Sequence, residues 1–244
     1  MRLTVVGCSP AWPNPGGAQS GYLVDGTGSA LLDCGPGVLA RLRDRDPHGW
    51  PAPDAIVITH FHLDHWGDLV PWVWGTSYLE ERGEAPRRSE LWVPTGGRSW
   101  LAQFGSLLGF AEMFEHAFAL REYGADAPFT AAGFTVTAGR VPHYDVEAYA
   151  LRLTDGSRTL AYSGDSAPSA ALEGMAREAD LFVCEATLAR GDLDGDVRGH
   201  PSLEEALEAH ARSAAKRLLV THRPAELPVR EGVELAYDGM VCEV

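Results

Sequence analysis

Residues 56–68 read IVITHFHLDHWGD, and this stretch gives the clearest indication of the architecture. An apolar run at residues 56–58 leads into three histidines and an aspartate: His60, His62, Asp64 and His65. The chain has only nine histidines, so a third of them lie within six positions. A short apolar run predicts a buried strand, and imidazoles with a carboxylate at the end of such a strand predict a metal site.

The spacing within this stretch suits two metal ions. Residues two apart on extended backbone face the same way, so His60 and His62 can bind one ion. The turn that follows can direct Asp64 and His65 at a second ion nearby. Neutral imidazole and carboxylate ligands suit zinc, and also manganese or iron. The sequence therefore predicts two divalent ions, with zinc as the first choice.

Three later strand-like runs also end in a histidine or an acid. They are residues 140–143, 161–165 and 219–222, which end at His143, Asp165 and His222. Strand ends are rigid, so side chains that project from them can hold a fixed geometry. We therefore expect these ends to converge with the first stretch at one edge of a pair of sheets.

These motifs resemble those of the metallo-β-lactamase superfamily over nearly the whole chain. The string from His60 to His65 matches the signature of that family, and Leu31–Gly35 is similar to its early aspartate motif. The resemblance implies an α/β (α+β) fold, a four-layer αββα sandwich of two mixed β-sheets. It also implies a single hydrolase domain over residues 1–244.

The same resemblance implies a role for each candidate ligand. It assigns His60, His62 and His143 to the first metal, Asp64, His65 and His222 to the second, and Asp165 to a bridging position. Asp33 is expected to accept a ring N–H from a ligand histidine and so to fix its tautomer. Two such ions would activate a shared water as the nucleophile of a hydrolase.

Three features are similar to the ribonuclease Z-like branch of the superfamily. The bridging position holds Asp165 and not cysteine, Glu185 lies in the run CEAT, and His200 lies in the run GHPS. The resemblance implies that Glu185 and His200 take part in proton transfer beside Asp64. Phosphodiester cleavage needs such a donor, because the leaving alkoxide must be protonated.

The substrate is expected to be a small phosphodiester such as a cyclic nucleotide. Members that mature tRNA carry a long arm between the motifs that end here at His143 and Asp165, and this chain has only 21 residues between them. The formal net charge of −14 disfavours extended contact with nucleic acid. Trp66 follows a ligand directly, so we expect it to line the mouth of the pocket and to stack on a base.

Three alternatives stay open. The first is a thioesterase, lactonase or β-lactamase that uses the same two ions, and the second is a tRNA 3′-processing endonuclease, which the short interval and the acidic charge disfavour. The third is a metal-binding or regulatory protein with an inert site.

The remaining sequence predicts a cytoplasmic protein without membrane contact. The N-terminal apolar run is too short for a secretory core or a membrane span. Cys8, Cys34, Cys184 and Cys242 lie far apart and are expected to be reduced. The ring-rich segment 66–118 is a surface through which a homodimer could form. The three histidines not yet mentioned, His48, His116 and His210, are predicted not to bind metal.

Overall fold

Two β-sheets pack face to face in the computed structural model, which describes residues 1–46, 49–125 and 127–244. The strands of the described ranges are β1 (Arg2–Gly7), β2 (Gly21–Asp25), β3 (Ser29–Leu32), β4 (Ala55–Val57), β5 (Glu90–Pro94), β6 (Ala119–Tyr123), β7 (Phe129–Ala131), β8 (Phe134–Val141), β9 (Ala148–Thr154), β10 (Thr159–Tyr162), β11 (Leu181–Glu185), β12 (Leu218–Thr221) and β13 (Val241–Glu243).

The helices lie on the outer faces of the sheets. They are α1 (Val38–Arg45), α2 (Leu63–Trp66), α3 (Leu69–Glu81), α4 (Gly97–Leu107), α5 (Met113–Ala117), α6 (Ala170–Ala176) and α7 (Leu203–Ser213), with a short 3₁₀ helix at Gly191–Leu193. Among the described residues, no helix is long enough and apolar enough to cross a membrane.

The four layers follow from which faces are apolar. One sheet has the order β13-β1-β2-β3-β4-β5-β6 and the other β12-β11-β10-β9-β8-β7, each with parallel and antiparallel pairs. Inward side chains such as Leu32 and Leu151 form the core between the sheets. Helices α1, α3, α4 and α5 cover the first sheet, and α6 and α7 cover the second. The predicted αββα sandwich of two mixed sheets is confirmed.

The strand directions bring several chain segments to one edge. Both β8 and β10 are antiparallel to β9, and β10, β11 and β12 are parallel to one another. The carboxyl ends of β8, β10, β11 and β12 therefore reach the same edge of the second sheet. Strand β4 of the first sheet leads directly into the histidine-rich stretch that begins at His60.

Helix α7 begins where the sequence predicts it. The Ser202 hydroxyl accepts a hydrogen bond from the Glu205 N–H, and the Glu205 carboxylate accepts one from the Ser202 N–H, which completes a capping box. The entry to the helix is therefore fixed, and His200 lies just before it.

Most rings of segment 66–118 pack into the outer core of the first sheet. Trp72, Phe114 and Phe118 are almost fully buried there. Trp74 and Tyr78, on the outer face of α3, are instead about half exposed, at 48% and 59%. The homodimer stays a prediction.

Candidate metal centre

Seven side chains meet at the sheet edge. The ligating atoms of His60, His62, His143 and Asp165 lie within 4.8 Å of one another, and so do those of Asp64, His65, Asp165 and His222. These are the seven residues that the sequence predicts, divided into the same two groups. Their assignment as ligands remains a proposal.

Asp165 is the residue common to both groups. Its Oδ2 atom lies 3.9 Å from Nε2 of His60 and 3.9 Å from Nε2 of His143. Its Oδ1 atom lies 3.2 Å from Nε2 of His65 and 3.6 Å from Nε2 of His222. One carboxylate thus turns a different oxygen to each group, which is the geometry that a bridging ligand needs.

Several polar atoms at the centre lack hydrogen-bond partners among the described residues. They are Nε2 of His60, Nε2 of His65 and Oδ1 of Asp165, all buried. Orphaned polar atoms in a protein interior are rare and costly. Imidazole nitrogens and carboxylate oxygens that converge without protein partners fit a divalent cation, so the donor set suits the metal that the sequence predicts.

The ring nitrogens that face away from the centre are held by other groups. Nδ1 of His65 lies 2.7 Å from Oδ2 of Asp33, and Nδ1 of His143 lies 2.8 Å from the Gly199 carbonyl oxygen. Such contacts fix the tautomer, which leaves Nε2 of each ring directed at the centre. Asp33 thus contacts a candidate ligand, and its role in fixing the tautomer of that ligand stays a prediction.

Asp33 is itself held by the segment that follows β4 and by β10 of the second sheet. Its carboxylate accepts hydrogen bonds from the Thr59 N–H (2.8 Å), the Thr59 hydroxyl and the Tyr162 hydroxyl (2.8 Å). Both Asp33 and His222 adopt left-handed backbone, at φ 58 and φ 48. Such conformations are uncommon for residues other than glycine and concentrate at functional sites.

The two groups of ligands differ in how readily their histidines take up a proton. Burial holds the pKa of His60 well below its usual value and lowers that of His143 to about 4, so both rings are neutral and able to bind metal. Burial opposes the charged form of His65 as well. Nevertheless, the nearby carboxylates of Asp165, Asp33 and Asp64 raise the pKa of that ring well above its usual value.

Glu185 and His200 form an ion pair beside the centre. Nδ1 of His200 lies 2.8 Å from Oε2 of Glu185 and 4.0 Å from Oδ2 of Asp165. Burial opposes protonation of His200, but the charge and hydrogen bond of Glu185 raise its pKa to about 9. Burial raises the pKa of Glu185, and the His200 charge opposes that rise. The pair therefore keeps a proton on an imidazole next to Asp165.

Thr187 connects this pair to the second group of ligands, and the sequence does not reveal that role. Its hydroxyl donates to Oε2 of Glu185 (2.6 Å) and lies 2.9 Å from Nδ1 of His222. Oε1 of Glu185 accepts the Ser166 N–H at 2.7 Å, which ties down the segment after Asp165. The only sequence signal is that Thr187 lies two residues after Glu185 at a strand end.

The prediction for Trp66 is wrong. The side chain is fully buried, and its Nε1 donates to the Phe61 carbonyl oxygen at 3.1 Å. Its ring packs edge-on against Trp100 and Phe104, in the core under α4. Helix α2 turns this position inward, so Trp66 supports the ligand segment and cannot contact a substrate.

Two of the three remaining histidines lie outside the centre. His116 pairs with Glu80 at 3.1 Å, and Nε2 of His210 lies 2.8 Å from the Ala215 carbonyl oxygen. His48 lies outside the described residues.

The sequence matches a family model described as "Beta-lactamase superfamily domain" over residues 29–223. It is 34% identical over 226 residues to the "Probable metallo-hydrolase YhfI" of Bacillus subtilis, which covers 92% of this chain and 87% of that protein. It is 27% identical over 308 residues to the "Ribonuclease Z" of Myxococcus xanthus, with 100% of this chain and 98% of that protein covered.

A solved structure shows the same architecture. The crystal structure of the metallo-beta-lactamase fold protein YhfI from Bacillus subtilis superposes with a TM-score of 0.84 at 28% identity. The superposition covers 99% of this chain and 98% of YhfI.

Proposed function

Because the chain belongs to the beta-lactamase superfamily of metallo-hydrolases, in its ribonuclease Z-like branch, we propose that it is a dinuclear phosphodiesterase acting on small phosphodiesters such as cyclic nucleotides. The observation that carries this proposal is the Glu185–His200 pair, in which Nδ1 of His200 lies 2.8 Å from Oε2 of Glu185 and 4.0 Å from Oδ2 of the proposed bridging carboxylate. A sugar alkoxide is a poor leaving group, so a positioned proton donor is what this chemistry requires.

The proposed ligands divide the work at the centre. His60, His62 and His143 would hold one ion, Asp64, His65 and His222 the other, and Asp165 both. When bound, the two ions supply Lewis acidity that activates water near neutral pH and neutralises charge on the phosphoryl oxygens.

The residues of the chain move the protons. In this proposal water's oxygen forms a new bond to phosphorus, and Asp64 accepts the proton that this water gives up and later releases it to solvent. The bond from phosphorus to the leaving sugar oxygen breaks, and His200 donates its proton to that oxygen. Glu185 then faces a neutral imidazole, whose raised pKa favours recovery of a proton from solvent. The reaction leaves a phosphomonoester and a free hydroxyl, which are on the same molecule when the substrate is a cyclic nucleotide.

The short interval between His143 and Asp165 supports a small substrate. It is occupied by β9, β10 and the turn between them, and these strands pair along their length inside the second sheet. An arm of the kind implied for tRNA-processing relatives has no counterpart in this hairpin. The net charge of −14 also opposes a polyanionic substrate.

The second candidate function is tRNA 3′ processing. It is favoured by the match to a ribonuclease Z over the whole length of this chain. A thioesterase, lactonase or β-lactamase activity would use the same ions. Of these, the thioesterase would depend least on His200, because a thiolate is a better leaving group than an alkoxide or an amine.

The test is a substrate panel with protein loaded in turn with zinc, manganese and iron. It includes cyclic AMP, other cyclic nucleotides and dinucleotides, bis-p-nitrophenyl phosphate, precursor tRNA, S-lactoylglutathione, an acyl-lactone and nitrocefin. The proposal expects hydrolysis of the small diesters and loss of that activity in Asp64→Ala. His210→Ala, remote from the centre, serves as the control variant. Higher turnover of the tRNA, thioester, lactone or nitrocefin would overturn the proposal.

A further inference from the structure

A buried carboxylate joins the backbone at His200 to the loop before it. Asp194 directly follows the 3₁₀ helix at Gly191–Leu193, and its side chain is only 4% exposed. Its Oδ2 accepts the N–H of Gly199 at 2.6 Å and the N–H of His200 at 3.0 Å. The backbone that carries the proton donor is therefore held by two hydrogen bonds to one oxygen.

The other oxygen of Asp194 holds a ring beside the proton donor. The Tyr144 hydroxyl donates to Oδ1 of Asp194 at 2.7 Å, and the Tyr144 ring lies 5.5 Å from the ring of His200. Tyr144 has left-handed backbone at φ 48, and its ring packs directly on Gly199, where an added Cβ would lie 2.3 Å from Cε2. This strained, tightly packed arrangement is maintained by its partners.

The charge state of Asp194 suits the role of an acceptor. Burial alone would raise its pKa, but the hydrogen bonds from the N–H groups of Gly199 and His200, with that of Tyr144, lower it. A carboxylate that accepts several N–H and O–H bonds makes stronger hydrogen bonds than a neutral acceptor. Arg198 also holds this backbone, since it donates to the His200 carbonyl oxygen at 2.9 Å and forms an ion pair with Glu205.

We propose that Asp194 is a positioning residue for proton transfer: it fixes the direction of the His200 imidazole and the place of the Tyr144 ring as one unit. This inference rests on the proposed phosphodiesterase function. Glu185 holds Nδ1 of the ring, while Asp194 holds the backbone from which the ring projects. With both ends held, Nε2 points in one direction, and general-acid catalysis depends steeply on that direction.

The test compares two diesters that differ in their need for a proton. The sugar oxygen of cyclic AMP must be protonated as it leaves, whereas nitrophenolate leaves bis-p-nitrophenyl phosphate without a proton. In metal-loaded Asp194→Ala we expect kcat for cyclic AMP to fall about 10- to 100-fold, with KM nearly unchanged. The kcat for bis-p-nitrophenyl phosphate should stay within about threefold of wild type, because its leaving group bypasses His200.

Three further variants show whether Asp194 acts through His200. In the double variant, which carries both His200→Ala and Asp194→Ala, kcat for cyclic AMP should be no lower than in His200→Ala alone. The effects of two residues that act through one group do not add. Asp194→Asn keeps an acceptor oxygen for the two N–H groups and should restore most of the rate. Asp192→Ala changes an exposed carboxylate in the 3₁₀ helix just before Asp194 and should leave both rates unchanged, so it serves as the matched control.

Each outcome decides the matter. Equal loss on both diesters in Asp194→Ala, or an unchanged rate on cyclic AMP, overturns the inference while the phosphodiesterase proposal stands. Failure of the wild type on both diesters removes the proposed function and the inference with it. If circular dichroism shows that Asp194→Ala is unfolded, Asp194→Ser, which is too short to reach both N–H groups, must show the same substrate-selective loss.

Discussion

At the scale of single residues, the centre depends on groups that have one geometric task each. Asp165 turns one oxygen to each proposed group of three histidine or aspartate ligands. His200 lies next to Asp165, and its Nδ1 is held by Glu185. The sequence identifies Asp165 because it ends a strand-like run, and it identifies Glu185 and His200 through the resemblance to the ribonuclease Z-like branch. It cannot identify Thr187 or Asp194, whose contacts with His222 and Tyr144 join positions 35 and 50 residues apart.

Replacement of His200 by alanine tests the proton donor. We expect kcat for cyclic AMP to fall about 100- to 1000-fold, because the sugar oxygen must then leave unprotonated. Bis-p-nitrophenyl phosphate should be hydrolysed at nearly the wild-type rate. Steady-state kinetics on both substrates give the comparison, and an equal loss on the two would contradict the role.

Replacement of Asp33 by asparagine tests the support of His65. The amide lacks the charge that holds the His65 N–H, so zinc affinity should fall about 10- to 100-fold. Tyr162→Phe removes a different hydrogen bond to the same carboxylate and should cost less than about tenfold. Zinc titrations against a chelating dye measure both variants, and equal affinities in Asp33→Asn and wild type would refute the prediction.

At the scale of helices and strands, local patterns predict the elements that local interactions stabilise. Helix α7 carries its own capping box, and β8 to β12 show the alternating or apolar runs of strands. The sequence does not predict β13, because that three-residue strand exists only through its pairing with β1. The prediction for Trp66 fails for a related reason, because residue type does not show which way the side chains of a one-turn helix face.

The turn between β9 and β10 offers a test of stability against pH. Oδ1 of Asp155 accepts the N–H groups of Ser157 and Arg158 at 2.8 Å each, and these bonds lower its pKa to about 2. A carboxylate with a lowered folded-state pKa stabilises the fold above its unfolded value of about 3.9 and loses that effect as the pH falls through the folded value.

Asp155→Ala should therefore be less stable than wild type at pH 7, and the difference should shrink between about pH 4 and pH 2. Urea unfolding midpoints from about pH 7 to about pH 2 measure the difference. Asp192→Ala, at an exposed position, is the control and should change little. A difference that does not vary with pH would show that the charge of Asp155 is not the cause.

At the scale of the whole molecule, two sheets share one core and present their strand ends at one edge. Ligand candidates come from β4 of the first sheet and from β8, β10 and β12 of the second. The order of the motifs along the chain, with the family resemblance, is enough to predict this convergence. The position of the loop at Asp194 above the centre depends on tertiary contacts, and no local pattern predicts it.

Because the proposed ligands come from both sheets, bound metal should stabilise the entire fold. A ligand at a thousand times its Kd adds about 4 kcal/mol to the free energy of unfolding. For a chain of this size, removal of zinc by a chelator should then lower Tm by roughly 10 °C. Differential scanning calorimetry measures the shift, and Asp165→Ala should show little of it. An equal shift in that variant would mean that the metal acts elsewhere.

The central claim is that the seven side chains hold two cations bridged by Asp165. Anomalous scattering from crystals grown with zinc tests it most directly, because it locates each ion. We predict two peaks per chain, one among His60, His62 and His143 and the other among Asp64, His65 and His222. A single peak, peaks at other places, or side chains turned away from one another would contradict the account.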